Sequence, residues 1–129
     1  MNQDDRCPFC EIAQEPAHQR IVSQNNYAFL IRDGNPISAG HSLIIPKRHI
    51  GSFFKTSEGE KHCILELLEQ AKIQLDREFQ PATYNIGIND GPAAGQTVPH
   101  MHIHVVPRYE DDEQESKGGM RCVVPTTVD

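Results

Sequence analysis

The stretch Gly95-Gln96-Thr97-Val98-Pro99-His100-Met101-His102-Ile103-His104-Val105-Val106-Pro107 decides how this chain is read. Three of the seven histidines fall at i, i+2 and i+4. In an extended strand such positions share one face, and Met101, Ile103 and Val105 take the other. A half-buried strand alternates apolar side chains with assorted polar ones, so three imidazoles in the polar register are not what core packing requires. Neighbouring Cα atoms on that face stand roughly 6.6 Å apart and the outer two roughly 13 Å. Two rings can converge on one ion, whereas three would need strong local curvature. At least one imidazole is therefore expected to be free for acid–base or nucleophilic work, for which a neutral ring is well suited near pH 7.

The residues just upstream suit a phosphate. Gly91 and Gly95 let the backbone turn sharply, and Asn89, Gln96 and Thr97 carry side-chain donors. Oriented N–H groups of this kind make a concave anion site. Taken alone the loop reads equally well as a plain turn; abutting the histidine strand, it reads as a phosphate cradle.

Working outward, Cys7 to about Gln14 forms a short helical segment. Arg20 to Ser23 and Tyr27 to Ile31 are two short strands around Gln24-Asn25-Asn26, and His41 to Pro46 is a third. Tyr84 to Asn89 and Met101 to Val106 make the fourth and fifth. A long helix runs from about Ser57 to Phe79. Ser57 and Glu60 have the form of a capping box, and Ile64, Leu67, Leu68, Ala71, Leu75 and Phe79 recur at helical spacing. Leu65 and Ile73 widen the apolar face, either as extra core or as contact with another subunit. Strands joined by short turns, with one covering helix, predict an α+β class with an antiparallel sheet.

Composition narrows the function. The length of 129 residues predicts one domain, with a core at about 7–109 and an acidic tail over 110–129. Net charge is −6, and Glu110, Asp111, Asp112, Glu113 and Glu115 carry most of it. Such a run reads as solvated and mobile. The nearly neutral remainder lacks the basic stripe of a nucleic-acid binder. No apolar run approaches the roughly 20 residues that cross a bilayer, and the first residues have neither the basic start nor the apolar stretch of a secretion signal. The expected compartment is the cytoplasm, where Cys7-x-x-Cys10 suggests metal or redox chemistry before a structural disulfide. Cys63 and Cys122 read as buried or incidental thiols, and His18 and His62 as surface residues.

The stretch from Gly95 to Val106 resembles the signature of the histidine triad (HIT) superfamily, and Gly40-His41-Ser42-Leu43-Ile44-Ile45-Pro46-Lys47-Arg48-His49-Ile50 resembles its upstream strand motif. The likeness runs from about Cys7 to Tyr109. It implies a five-stranded antiparallel sheet with a long helix, paired in a homodimer through a continuous sheet. It also implies that His102 attacks the α-phosphorus of a nucleotide, a purine being expected, to form a nucleotidyl–histidine intermediate. His104 aligns with the histidine that contacts phosphate and leaving group, and His41 with a fourth pocket histidine. Asn89, Gly95, Gln96 and Thr97 match phosphate contacts, and Asp33 falls at a ribose-binding position.

Some members place a structural zinc on two cysteines, a histidine after the Pro-Lys-x-His strand, and the first triad histidine; here these are Cys7, Cys10, His49 and His100. Four protein donors suit closed tetrahedral zinc. The absence of Trp and the run Val105-Val106-Pro107-Arg108 resemble the branches that cleave dinucleoside polyphosphates more than the phosphoramidases. Two other readings stand beside the nucleotidyl hydrolase: a hydrolase whose zinc-bound water does the chemistry, and a nucleotide-binding adaptor with little turnover.

Overall fold

A computed structural model describes residues 7–112. The tail beyond Asp112, with Glu113, Glu115 and Cys122, lies outside them. Helix α1 (Pro8–Ala13) is followed by strands β1 (Ile21–Gln24), β2 (Ala28–Arg32) and β3 (Ser42–Pro46). Helix α2 (Glu58–Phe79), β4 (Thr83–Gly87) and β5 (Ile103–Arg108) complete the domain. The sheet order is β1-β2-β3-β5-β4, and every neighbouring pair is antiparallel. The fold is α+β, as the sequence predicts.

The two-residue alternation of each strand serves two cores. Leu30, Ile44, Ile103 and Val105 pack with Ile64, Leu67, Ala71 and Leu75 of α2. On the opposite face Phe29, Ile31, Leu43 and Ile45 pack with Cys7, Phe9, Cys10 and Ile12. Strands covered on both sides read as continuous apolar runs, which is why Ala28–Ile31 and Leu43–Ile45 show no polar alternation. The second layer, supplied by the N-terminal segment, is absent from the sequence-based picture of one helix on one face.

Helix α2 starts where its sequence places it. The Ser57 hydroxyl accepts from Glu60 N–H at 3.1 Å, and Ser57 N–H donates to the Glu60 carboxylate at 2.8 Å. A capping interaction of this kind is worth about 1 kcal/mol. Glu60 also takes two hydrogen bonds from Arg48, at 3.0 and 2.8 Å. The Arg48 guanidinium, together with the Ser57 donors and against burial, holds the Glu60 carboxyl down at about 2. The pair therefore fastens the segment after β3 to the helix start, next to His49.

One glycine is required by space as well as by conformation. Gly40 has φ +89°, and a Cβ there would stand 2.9 Å from both Leu75 Cδ2 and Phe79 Cδ2. It lets the turn into β3 pass under the end of α2.

Two expectations need correction. Strand β5 begins at Ile103, so His100 and His102 precede it. Their backbone is tied elsewhere, because His100 N–H donates to Val98 O and Met101 N–H to Ile50 O. The alternation nevertheless persists, with Met101, Ile103 and Val105 all in the α2 core. The acidic run is also partly ordered: Glu110–Asp112 form a 3₁₀ turn, and Asp112 accepts from Tyr109 N–H at 2.9 Å.

Candidate active site and metal cluster

The three histidines separate into two centres. His100 turns towards the N-terminal segment, where its Nδ1 lies 3.2 Å from Cys7 Sγ and 3.5 Å from Cys10 Sγ. His49 Nδ1 lies 3.1 Å from Cys10 Sγ. The four donor atoms all fall within 4.8 Å of one another and could hold a metal ion. Tetrahedral zinc on two sulfurs and two nitrogens spaces its ligands by about 3.3–3.8 Å, so the set fits without rearrangement of the backbone. The other nitrogen of His100 is fixed too: Nε2 donates to Pro46 O at 2.8 Å, which leaves Nδ1 as a lone pair facing the thiols.

Backbone groups also decide the protons on the remaining rings. His102 Nδ1 donates to the carbonyl of His100 at 2.8 Å, so in the neutral ring Nε2 carries the lone pair. Ile37 N–H donates to His41 Nδ1 at 3.2 Å, which puts the His41 proton on Nε2. That Nε2 lies 3.0 Å from His104 Nδ1 and donates to it. The His104 proton is thereby left on Nε2, a buried N–H with no partner among the described residues. The rings of His102 and His104 stand edge to face with centroids 5.1 Å apart.

Burial lowers the proton affinity of all three rings. For His102 it outweighs the bond to His100 and the charge of Asp33. For His41 it outweighs Asp33, with Arg108 acting in the same direction as burial. For His104, burial followed by the neighbouring His102 and His41 pushes the value down to about 3. The site thus holds neutral imidazoles at neutral pH.

Other predicted residues fall into different positions. Asp33 is buried; its Oδ1 accepts from Asn35 N–H at 2.8 Å, and its Oδ2 stands 3.4 Å from His41 Nε2. Gln96 is engaged within its own loop, accepting from Gly91 N–H at 2.7 Å and donating to Gly51 O and Val98 O. Gly95, at φ +100°, turns its N–H back to Pro92 O. Exposed Thr97 and half-buried Asn89 flank these loop-building residues. His62 is exposed, and His18 is half-buried, accepting from Arg20 N–H.

Sequence reading missed Phe9. Its buried ring packs edge-on against both His100 and His102, with centroids 5.7 and 5.2 Å away. The signal was its place between the two cysteines, since a residue inside C-x-x-C goes where the thiols go.

Fold and site define an α+β protein with buried imidazoles clustered where one central strand begins, beside a Cys₂His₂ set. The chain belongs to the HIT family: the HIT domain model matches residues 14–111. It is 36% identical over 107 residues to a 16.1 kDa HIT-like protein of Mycoplasma pneumoniae, covering 83% of this chain and 74% of that one. It is 32% identical over 106 residues to the adenylylsulfatase HINT3 of Arabidopsis thaliana, covering 82% and 54%. Among solved structures, a zinc-bound histidine triad family protein from Mycobacterium smegmatis superposes with a TM-score of 0.75 at 32% identity, over 85% of this chain and 80% of that one. No helix among the described residues is long and apolar enough to cross a membrane.

The depressed His104 value has a consequence for pH. The unfolded chain binds this proton near 6.5 and the folded chain only near 3. The contribution of His104 to stability is therefore complete above pH 6.5 and is lost as pH falls towards 3. In an NMR titration the His104 ring resonances should stay constant from pH 8 to about 5, and His104→Asn should flatten the fall in unfolding midpoint over the acid side of that range. A His104 ring that titrates at or above its ordinary value would contradict this.

Proposed function

We propose that the protein is a nucleotidyl hydrolase or transferase that breaks a bond to the α-phosphorus of a nucleotide through a covalent intermediate on His102. The observation that carries this reading is the His102 tautomer: Nδ1–H is held by the His100 carbonyl, so the lone pair of a neutral, buried ring sits on Nε2. In the first step Nε2 bonds to phosphorus as the bond to the leaving group breaks and its electrons depart with that group. In the second, water attacks phosphorus, the phosphorus–nitrogen bond breaks, and the ring returns to its neutral form. The intermediate divides one hard displacement into two easier ones.

His104 contributes its Nε2–H, which donates to a phosphate oxygen as charge builds there. Thr97 and Asn89 add polar contacts to the phosphate, while Gly95 and Gln96 shape the loop that presents them. The adenylylsulfatase among the relatives supports a substrate with an adenylyl group. A dinucleoside polyphosphate or a nucleoside phosphoramidate offers the same reacting bond. We place the reaction in the cytoplasm.

His102→Asn should keep the fold and lose at least about 10³-fold in turnover, since the covalent route is gone. Wild-type protein quenched with denaturant at alkaline pH during turnover of adenylyl sulfate, a dinucleoside polyphosphate or a phosphoramidate should show one added nucleotidyl mass on His102 that is lost on brief acid treatment. Near-normal rates in the variant on every substrate the wild type cleaves would sink the assignment.

We assign a structural zinc to Cys7, Cys10, His49 and His100. When bound it would tie α1 and its Phe9 to the residues before β5; with four protein donors it has no open position for a reacting water. Purified protein should hold about one zinc per chain, and Cys10→Ser should lower the melting temperature more than it lowers activity in the cold. Metal analysis that finds the ion retained after Cys10→Ser but lost in His104→Asn would overturn the assignment.

The assembly we propose is a homodimer that includes the outer face of α2, where Leu65 and Ile73 are 58% and 57% exposed. Sedimentation at micromolar concentration should give twice the chain mass, and a monomer there would exclude it.

A further inference from the structure

A charge taken out of water is costly unless a partner meets it. Among the described residues the buried charged side chains, histidines aside, are Asp33, Glu60 and Arg108. Glu60 is matched by Arg48 at 2.8 Å, and Asp33 Oδ2 stands 3.4 Å from His41 Nε2. Arg108 is only 6% exposed, yet none of the ion pairs among the described residues includes it. Its Nε donates to the neutral Asn85 Oδ1 at 2.9 Å. The terminal nitrogens of the guanidinium have no partner among the described residues, but they are not sealed from solvent as His104 Nε2 is. Arg108 is thus a buried cation with most of its N–H donors unused.

The register places this charge. Ile103 and Val105 pack in the α2 core, so His104, Val106 and Arg108 point to the opposite face. Tyr84 packs against the α2 core too, which turns Asn85 to the side that Arg108 faces. The guanidinium is near enough to His41 to oppose its protonation. His102, His104 and Arg108 therefore follow one another along a single face. At about 3.3 Å per residue, the Arg108 Cα stands roughly 13 Å from that of His104 and roughly 20 Å from that of His102. This is too far for contact with the phosphorus that His102 attacks, and it suits a group that extends beyond it. Displacement at phosphorus runs in line, with nucleophile and leaving group on opposite sides. A group expelled by His102 departs away from that ring, on the side where His104 and Arg108 lie.

We propose that Arg108, held by Asn85, is a specificity-determining residue that takes the distal phosphate of a polyphosphate leaving group. As His102 Nε2 bonds to the α-phosphorus, the bond to the bridging oxygen breaks. Its electron pair stays with the departing phosphate, which gains one negative charge. A guanidinium with unused N–H groups meets that charge through paired hydrogen bonds. An amine expelled from a phosphoramidate takes up a proton and leaves neutral, so it gains nothing from Arg108. The direction of displacement rests on the His102 reading above, whereas the anion site does not.

The test uses the full chain and two variants. Arg108→Gln removes the charge, and Asn85→Asp keeps the guanidinium but gives it a carboxylate within the protein. Binding of inorganic pyrophosphate to substrate-free protein, followed by calorimetry, should weaken at least about tenfold in both. In the kinetic arm, kcat/KM on a dinucleoside polyphosphate should fall at least about tenfold in each variant. On an adenylyl phosphoramidate with a neutral amine leaving group it should change less than about threefold. Equal losses on both substrates would mark Arg108 as a purely structural tie between β4 and β5 and overturn the proposal. Pyrophosphate binding that ignores both substitutions would overturn it as well, since another group of the protein then meets the guanidinium. So would wild-type protein that cleaves the phosphoramidate but no polyphosphate. If no adduct forms on His102 while pyrophosphate binding is still lost in both variants, the displacement reading falls and the anion site stands. Should Arg108→Gln fail to fold, Asn85→Asp, which adds an ion pair and leaves no cavity, decides alone.

Discussion

His100 joins three parts of the molecule at one residue. Its Nδ1 faces the thiols of the N-terminal segment, its Nε2 donates to the Pro46 carbonyl at the end of β3, and its own carbonyl accepts from His102 Nδ1. Each bond constrains the next. The Pro46 oxygen selects the tautomer that turns a lone pair to the sulfurs, and the His100 carbonyl selects the tautomer that leaves His102 Nε2 open. Cluster and site are therefore adjacent links of one chain, although they differ in chemistry. Phe9, buried against both rings, closes the gap between them.

Protonation in this site is set by main-chain groups more than by neighbouring charges. Ile37 N–H, the His100 carbonyl and the Pro46 carbonyl each face one ring nitrogen. A backbone dipole on a rigid loop cannot rotate away as a side chain can, so each neutral ring has one favoured form. Burial then disfavours the charged form of His41, His102 and His104. Both effects prepare the rings before any substrate arrives, which is where fixed dipoles act most strongly.

Local signals in the sequence were reliable guides. Ser57 and Glu60 marked the helix start because a capping box is complete within four residues. The alternation around His104 separated the α2 core from the imidazoles correctly, even though the strand itself begins only at Ile103. What stayed hidden depends on contacts between distant segments. Nothing in Gln96 reveals that its amide will be engaged by Gly51 and Val98, and nothing in Ile37 reveals that its N–H will set a histidine tautomer. The cover that Phe9 and Ile12 give the second sheet face was hidden for the same reason: a six-residue helix has too little periodicity to announce a layer.

The strand order has a consequence for how the chain comes together. β5 lies between β3 and β4, so β3 has an open edge until β5, the last strand among the described residues, arrives from some sixty residues downstream. During synthesis from the N-terminus, β1, β2 and β3 can pair as they emerge, whereas β4 has no partner until β5 is made. Closing so long a loop is entropically slow compared with forming a hairpin. Insertion of β5 completes the sheet and brings His104 beside His41 in the same event. A nascent or truncated chain lacking residues 103–108 thus keeps its hairpins but has no His41–His104 pair, and exposes the β3 edge that chaperones and aggregates compete for.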